Sequence, residues 1–319
     1  MNAIARYALE QSFVMVPIHV DVLHIDTPTL VADAMANFSR LPYVNTSAGD
    51  TADWNADTAY TSEDLLSPPF QNQTLVLESG VHLHWALPQA LTRSHPVRKD
   101  HHDITFPAVP NRWLISRSGK QDCSWLVESD YLYPSDEGAE FGGVCYPVFK
   151  GSAQNGPPFR YMGRTLEMSE PYPSAATDYL KRLTGYPLTA VGYGEPTFAA
   201  FYPNSRGVFG LHDPVSPDLA TTTVYHVFGW YADGVDDFCG TYAFQAMCQA
   251  GDIPAVQKAL QDAYGWTVPD NIPNDTPLHM LCYACVELGA PPGDRKPPTS
   301  SMESGLKVAL GNTATEALS

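Results

Sequence analysis

The sequence predicts a β-rich α+β fold with mostly antiparallel sheets and a few short helices. Apolar and polar residues alternate at period two in several runs, which is the pattern of strands with one buried face. The chain also carries 28 prolines and 23 glycines, and these residues supply many turns. Only a few stretches show the 3.6-residue periodicity of an amphipathic helix. Strands therefore dominate the expected fold.

The strongest strand signals surround three tryptophans. Residues 112–117 and 123–132 alternate apolar and polar side chains, and Ser118 with Gly119 supplies a turn, so this segment predicts a hairpin. Aromatic rings bury the largest area per side chain. A hydrophobic core is expected around Trp85, Trp113 and Trp125.

Three further elements are predicted in the first hundred residues. Residues 13–25 form the longest strand candidate, and Pro17 places it at a sheet edge or a bulge because proline cannot donate to the ladder. Residues 29–38 suit a short helix. Residues 74–77 and 81–87 flank a tight turn, which predicts a second hairpin.

The second half of the chain alternates helix and strand signals. Residues 174–183 suit a helix that Ser174 caps, and residues 222–231 form a strong strand. Asp252 caps an amphipathic helix with an apolar stripe. Residues 278–288 place six apolar side chains at period two, which predicts another strand.

Composition divides the chain into one large unit and a tail. Residues 1–290 are expected to form one β-rich α+β domain, with a possible sub-boundary near 134–173, where glycine and proline dominate. Residues 291–304 are Pro/Ser-rich and predict a linker or loop. Residues 305–319 contain a capping box at Thr313 whose helix would be too short to stand alone, so they predict the start of a further, truncated unit.

Charge and hydropathy limit the partners. The net charge of −17 argues against nucleic acid and against anionic membrane surfaces. No apolar run approaches the ~18 residues of a membrane helix, and the first residues lack a signal-peptide core. The expected location is the cytoplasm, with the six cysteines reduced and export by a non-classical route left open. Partners are expected to be proteins or the rest of a longer chain.

One candidate metal site lies on the strand that carries Trp85. His82 and His84 stand at positions i and i+2, so both imidazoles point to the same face and can reach one ion. A metal site needs three or four ligands. Further ligands are available from His19 with Asp21, or from His101 with His102. The alternative is that both histidines are structural and hydrogen-bond beside Trp85.

A second candidate site is half a zinc site formed by His279, Cys282 and Cys285. A helix would place both cysteines on one face, whereas a strand places them on opposite faces. The period-two pattern favours the strand, in which the cysteines are small buried thiols. No cofactor is therefore predicted, and zinc or another divalent metal is the alternative at either site.

Several motifs resemble the N-terminal region of large, uncharacterised bacterial proteins. They are VHLHWALP at 81–88, FPAVPNRWL at 106–114, FAAFYP at 198–203, VFGLHD at 208–213, GWYAD at 229–233 and LGNT at 310–313. The resemblance covers most of the chain and implies that it is the front part of a longer protein. That group has no established activity, so the resemblance implies no catalytic residues.

The first functional hypothesis is a non-enzymatic structural or binding module of a large multidomain bacterial protein, and this hypothesis includes membership of a larger assembly. It depends on the aromatic-rich strands and on the lack of any complete catalytic motif in the sequence. The first alternative is a metal-dependent hydrolase that uses His82 and His84. The second alternative is a carbohydrate-binding domain, because tryptophan and tyrosine rings can stack on sugars.

Overall fold

The computed structural model describes residues 13–32, 75–96, 104–119, 121–133, 144–147, 159–168, 187–190, 205–215, 217, 222–267, 279–289 and 309–311. Within these residues the chain is strand-rich, with two α-helices and mostly antiparallel pairing. The predicted β-rich α+β class is confirmed.

The strands of the first half are β1 (Phe13–Pro17), β2 (His19–Ile25), β3 (Thr29–Ala32), β4 (Leu75–Leu77), β5 (Gly80–Ala86), β6 (His95–Pro96), β7 (Ile104–Thr105), β8 (Arg112–Ser118), β9 (Cys123–Leu132) and β10 (Val144–Pro147). Those of the second half are β11 (Phe159–Glu167), β12 (Gly210–Asp213), β13 (Thr223–Trp230), β14 (His279–Leu288) and β15 (Ala309–Gly311). The helices are α1 (Tyr242–Gln249) and α2 (Ile253–Tyr264), with short 3-10 helices at Gln89–Leu91 and Phe238–Gly240.

The strands form one large sheet and one small sheet, with two short additional pairs. The large sheet has eight strands in the order β10-β11-β9-β8-β13-β14-β1-β15, and it is mixed because β1 and β14 run parallel. The small sheet has the order β12-β5-β2 and is antiparallel throughout. The additional pairs are β3 with β4 and β6 with β7.

The core lies between the large and small sheets. Trp85 of the small sheet contacts Trp113 of the large sheet with ring centroids 5.3 Å apart, and Phe209 meets Trp113 edge-on at 6.2 Å. All three tryptophans of the predicted core are buried, including Trp125 on β9. The predicted β8–β9 hairpin is also confirmed, with Arg117 opposite Cys123 next to the turn.

The first predicted strand is divided between the two sheets. The structure breaks residues 13–25 at Ile18, whose N–H donates to the carbonyl of Tyr283 at 2.9 Å. The chain leaves the large sheet there and enters the small one. Pro17 ends β1, beyond Met15, the last residue that pairs with β15. Its missing N–H therefore costs no bond to that neighbour. The predicted edge position is wrong for the strand as a whole, because β1 lies between β14 and β15.

Two local predictions are wrong. Residues 74–77 and 81–87 do not pair as a hairpin, because β4 pairs with β3 while β5 lies between β2 and β12. Residues 29–32 form a strand instead of the start of a helix at 29–38, since they find a partner in β4. The rest of that predicted helix, and the one at 174–183, lie outside the described residues.

The two helices are capped by side chains. Asp252 accepts from the N–H of Ala255 at 3.1 Å, as the sequence predicted for this helix. Gly265 ends α2 in the left-handed region at a φ of 69°. The sequence did not predict α1, which Thr241 caps by accepting from the N–H of Phe244. In the part of the chain that the structure describes, no helix has the length and apolar character needed to cross a membrane.

The predicted domain division falls largely outside the described residues. Within the predicted terminal unit, residues 309–311 form β15 and pair with β1 at the edge of the large sheet. The linker at 291–304 and most of the sub-boundary near 134–173 are not described. The division itself stays a prediction.

Candidate functional site

The predicted metal ligands lie on a polar face of the small sheet, which we call the histidine face and define by His19, Asp21, His82, His84 and His212. Strand pairing sets His84 opposite Asp21 and His82 opposite His212. Since side chains alternate along a strand, this face points away from buried neighbours such as Trp85. His82 and His84 are nevertheless buried, whereas His19 and Asp21 are exposed.

His82 and His212 stabilise the turn that precedes β5. Their rings stack with centroids 4.3 Å apart and an angle of 11° between the planes. The Nε2 atom of His82 lies 2.8 Å from the carbonyl oxygen of Glu78, and that of His212 lies 2.9 Å from the carbonyl of Ser79. Burial lowers the pKa of His82, and the charges of His212 and Arg206 act in the same direction. The neutral imidazole is therefore favoured.

His84 is directed toward β2. Its Nδ1 atom lies 3.9 Å from one carboxylate oxygen of Asp21, and the Nε2 atom of His19 lies 3.0 Å from the other oxygen. The structure thus brings two of the predicted imidazole ligands, His19 and His84, to the carboxylate of a third predicted ligand, Asp21. It directs His82 toward a backbone carbonyl instead. Among the described residues, no group of three or more histidine, cysteine or acidic side chains is arranged to hold a metal ion. His101 and His102 lie outside those residues.

The second predicted metal set is spread along β14. Cys282 is buried and Cys285 is exposed, as expected for opposite faces of a strand, so the prediction of a buried thiol is wrong for Cys285. His279 and Cys285 are six residues apart, which is ~20 Å along a strand. His279 instead lies 3.6 Å from the carboxylate of Asp237. Burial raises the pKa of both thiols, and thiolates are what zinc binds.

A buried ion pair joins the two sheets beside the histidine face. Arg117 on β8 donates to the carboxylate of Asp213 on β12, which has no exposed surface. Tyr225 on β13 donates to the same carboxylate at 2.7 Å. The N–H of Val215 donates to its other oxygen at 3.0 Å. Since both carboxylate oxygens of Asp213 accept hydrogen bonds, this cluster is suited to holding the sheets together.

A concave site lies at the other end of the core, where β13 leads into the helices. It is a pocket of about 320 Å³, which we call the Phe238 pocket. Its lining comes from three separate parts of the chain: Pro107 and Ala108, then Val235, Asp236, Phe238 and Thr241, then Ala263 and Tyr264. The volume is at the lower end of the ~300–1,000 Å³ of small-molecule sites.

Aromatic packing builds one wall of the Phe238 pocket. The rings of Phe238 and Tyr264 meet edge to face at 5.3 Å, and Phe238 also contacts Phe244 at 5.4 Å. Tyr264 in turn lies against Trp266 at 4.5 Å. Phe244 and Trp266 are buried, so they fix the two rings that face the pocket. The wall is therefore anchored to the core.

Exposed apolar side chains accompany this pocket. Val235, which lines it, is 75% exposed, and Tyr242, which directly follows the lining residue Thr241, is 90% exposed. Large exposed apolar side chains beside a concavity are typical of contact sites. In the sequence, residues 233–237 contain three aspartates, and this acidic run does not by itself indicate a pocket. The pocket itself gave no sequence signal, because its first lining segment is more than a hundred residues from the other two.

No protein-family model, no curated protein and no solved structure matches this chain. The geometry of the described residues is therefore the basis on which a function is proposed.

Proposed function

We propose that this chain is a non-enzymatic structural or binding module of a larger bacterial protein, and that its partner docks at the Phe238 pocket. The single observation that supports this most is the position of Val235, largely exposed on the rim of a pocket with an anchored aromatic wall. Such a surface suits a protein partner or another part of the same longer chain. The two-sheet core serves as its rigid support.

The bonding of the histidines favours the same proposal. His82 and His212 are engaged with the backbone carbonyls of the turn before β5. Removing either imidazole would leave a backbone carbonyl without this hydrogen-bond partner, which lowers the stability of the fold. These side chains therefore suit a structural role. A carbohydrate ligand is the weaker option, and a glycan array on the purified chain would reveal it through binding that depends on Tyr242.

Site-specific photocrosslinking tests the docking site. Tyr242 is replaced by the photoreactive p-benzoylphenylalanine in the complete protein, within the producing cells, and adducts are identified by mass spectrometry. Val215, which is 40% exposed on a different loop, is the matched control position. We expect adducts to one defined polypeptide segment from position 242 and none to that segment from position 215. Equal adducts at both positions, or none at 242, would overturn the proposed docking site.

A second candidate function, metal-dependent hydrolysis, is favoured by one observation. The imidazoles of His19 and His84 both approach the carboxylate of Asp21. Imidazole and carboxylate are ligand types that zinc uses in hydrolases, so a zinc site here requires these three side chains to move, because they are not arranged to hold an ion among the described residues. Elemental analysis of the purified protein and of its His84→Ala variant tests this alternative.

A further inference from the structure

The Phe238 pocket carries a carboxylate that the rest of the described structure leaves without a partner. Asp236 lines the pocket, and its side chain makes no hydrogen bond or ion pair with any described residue. The neighbouring Asp237 differs. It is buried, and its two oxygens accept from the N–H groups of Cys239 at 2.9 Å and Met280 at 2.7 Å. Asp237 therefore has a structural role, whereas Asp236 is available to a ligand.

The other carboxylates nearby are already engaged. Asp233 accepts from the N–H of Val235 at 3.1 Å. Asp130 pairs with Arg112 at 2.5 Å and accepts from the side-chain amide of Asn111 at 3.0 Å. Asp236 thus faces the pocket without a cation of its own, in a chain whose net charge is −17. The local field favours a positive ligand.

The pKa of Asp236 is consistent with a carboxylate that has no cation beside it. Burial raises the pKa of this carboxyl, and the negative charges of Asp233 and Asp130 raise it further. A cation placed beside it would oppose this shift, because it favours the charged carboxylate. Because most of the remaining lining is apolar, the complementary ligand needs an apolar body as well as a charged end.

We propose that the Phe238 pocket receives a basic side chain, lysine or arginine, from the polypeptide segment that docks there. The apolar stem lies against the rings of Phe238 and Tyr264, and the charged end pairs with Asp236. Lysine and arginine combine such a stem with a cationic head, and aromatic faces attract cations. A bare metal ion fits less well, since one free carboxylate supplies too few ligands. This inference rests on the proposed docking function.

Peptide titration tests the ligand class directly. The probes are blocked pentapeptides of four glycines around a central lysine, arginine, norleucine or glutamate. They are titrated into the ¹⁵N-labelled 319-residue chain, and amide shifts are followed by NMR. We expect the lysine and arginine peptides to shift the amides of Val235, Asp236, Phe238, Thr241 and Tyr264. The norleucine and glutamate peptides should leave them unchanged.

Two variants test whether peptide binding depends on the carboxylate of Asp236 in particular or on the overall negative charge of the chain. Asp236→Asn should weaken binding of the lysine peptide at least tenfold. Asp262→Asn, which removes a nearby exposed carboxylate paired with Lys258, should change it less than twofold. Binding should also fall as the pH drops through the raised pKa of Asp236, above the ordinary 3.8 of an aspartate. The amide spectrum of each variant reports whether it is folded.

The outcomes distinguish this inference from the docking function. Equal binding of the norleucine and lysine peptides, or equal effects of the two aspartate variants, would overturn the basic-side-chain inference. Crosslinking from position 242 would still support docking in that case. Adducts from 242 to a segment without lysine or arginine would likewise overturn the inference alone. Loss of adducts at 242 would overturn both.

Discussion

The ring of Trp113 fills the space beside the backbone of Gly229, its cross-strand partner on β13. A Cβ atom added at position 229 would lie 2.1 Å from the ring atom Cζ3 of Trp113. No side chain other than hydrogen fits there. The glycine therefore allows Trp113 to lie over β13 and to contact Trp85 of the small sheet.

Gly229→Ala should destabilise the fold. The added methyl group forces the Trp113 ring out of its position, and overpacking of this kind costs about 1–3 kcal/mol or more. Urea unfolding followed by tryptophan fluorescence measures the change. Gly234→Ala is the matched control, because its nearest neighbour would be the His279 ring at 3.8 Å, an ordinary contact. Equal stability of the two variants would contradict the packing argument.

Breaking the buried ion pair between the sheets should be costly. Arg117→Met leaves the carboxylate of Asp213 buried with only neutral donors, and removing one partner of a buried pair costs about 3–5 kcal/mol. The double variant Arg117→Met with Asp213→Leu removes both charges. We expect it to regain more than half of the lost free energy of unfolding. Additive losses in the double-mutant cycle would show that the two side chains do not act as a pair.

Stability should fall in mild acid because of His82. The pKa of His82 is lower in the folded chain than the ordinary 6.5. Below about pH 6.5 the imidazole is therefore protonated in the unfolded chain while it is still neutral in the folded chain. The free energy of unfolding therefore drops as the pH falls from 6.5 to the folded pKa and levels off below it. His82→Gln should reduce this drop, measured by urea unfolding between pH 7.5 and 5. The exposed His19→Gln control should keep it.

The metal hypothesis is tested by elemental analysis of protein purified without added metal. The hydrogen bonds of His82 favour a scaffold role, so we expect zinc and iron well below one equivalent. Near-stoichiometric metal that His84→Ala or Asp21→Ala removes would establish a site on the histidine face and support hydrolysis. Loss of metal with His82→Ala alone would instead require that this imidazole leave the Glu78 carbonyl.

Part of the candidate sites was predictable from the sequence. Alternation placed His82 and His84 on one face of a strand and Cys282 and Cys285 on opposite faces of another. It could not show that Asp21 would stand opposite His84. The acidic run at 233–237 was visible, but the sequence could not show which carboxylate would face a pocket, because that depends on which backbone N–H groups bind the others.

The sequence by itself determined the local structure whose causes are short-range. Side-chain alternation fixed the β8–β9 hairpin and β14, and the Asp252 cap fixed the start of α2. Only the tertiary structure decided that β4 pairs with β3, that the chain changes sheets at Ile18, and that Pro107, Phe238 and Tyr264 line one pocket. The physical reason is that a strand's own pattern sets which face is apolar, whereas its partner is chosen by the burial and hydrogen bonding of the whole core.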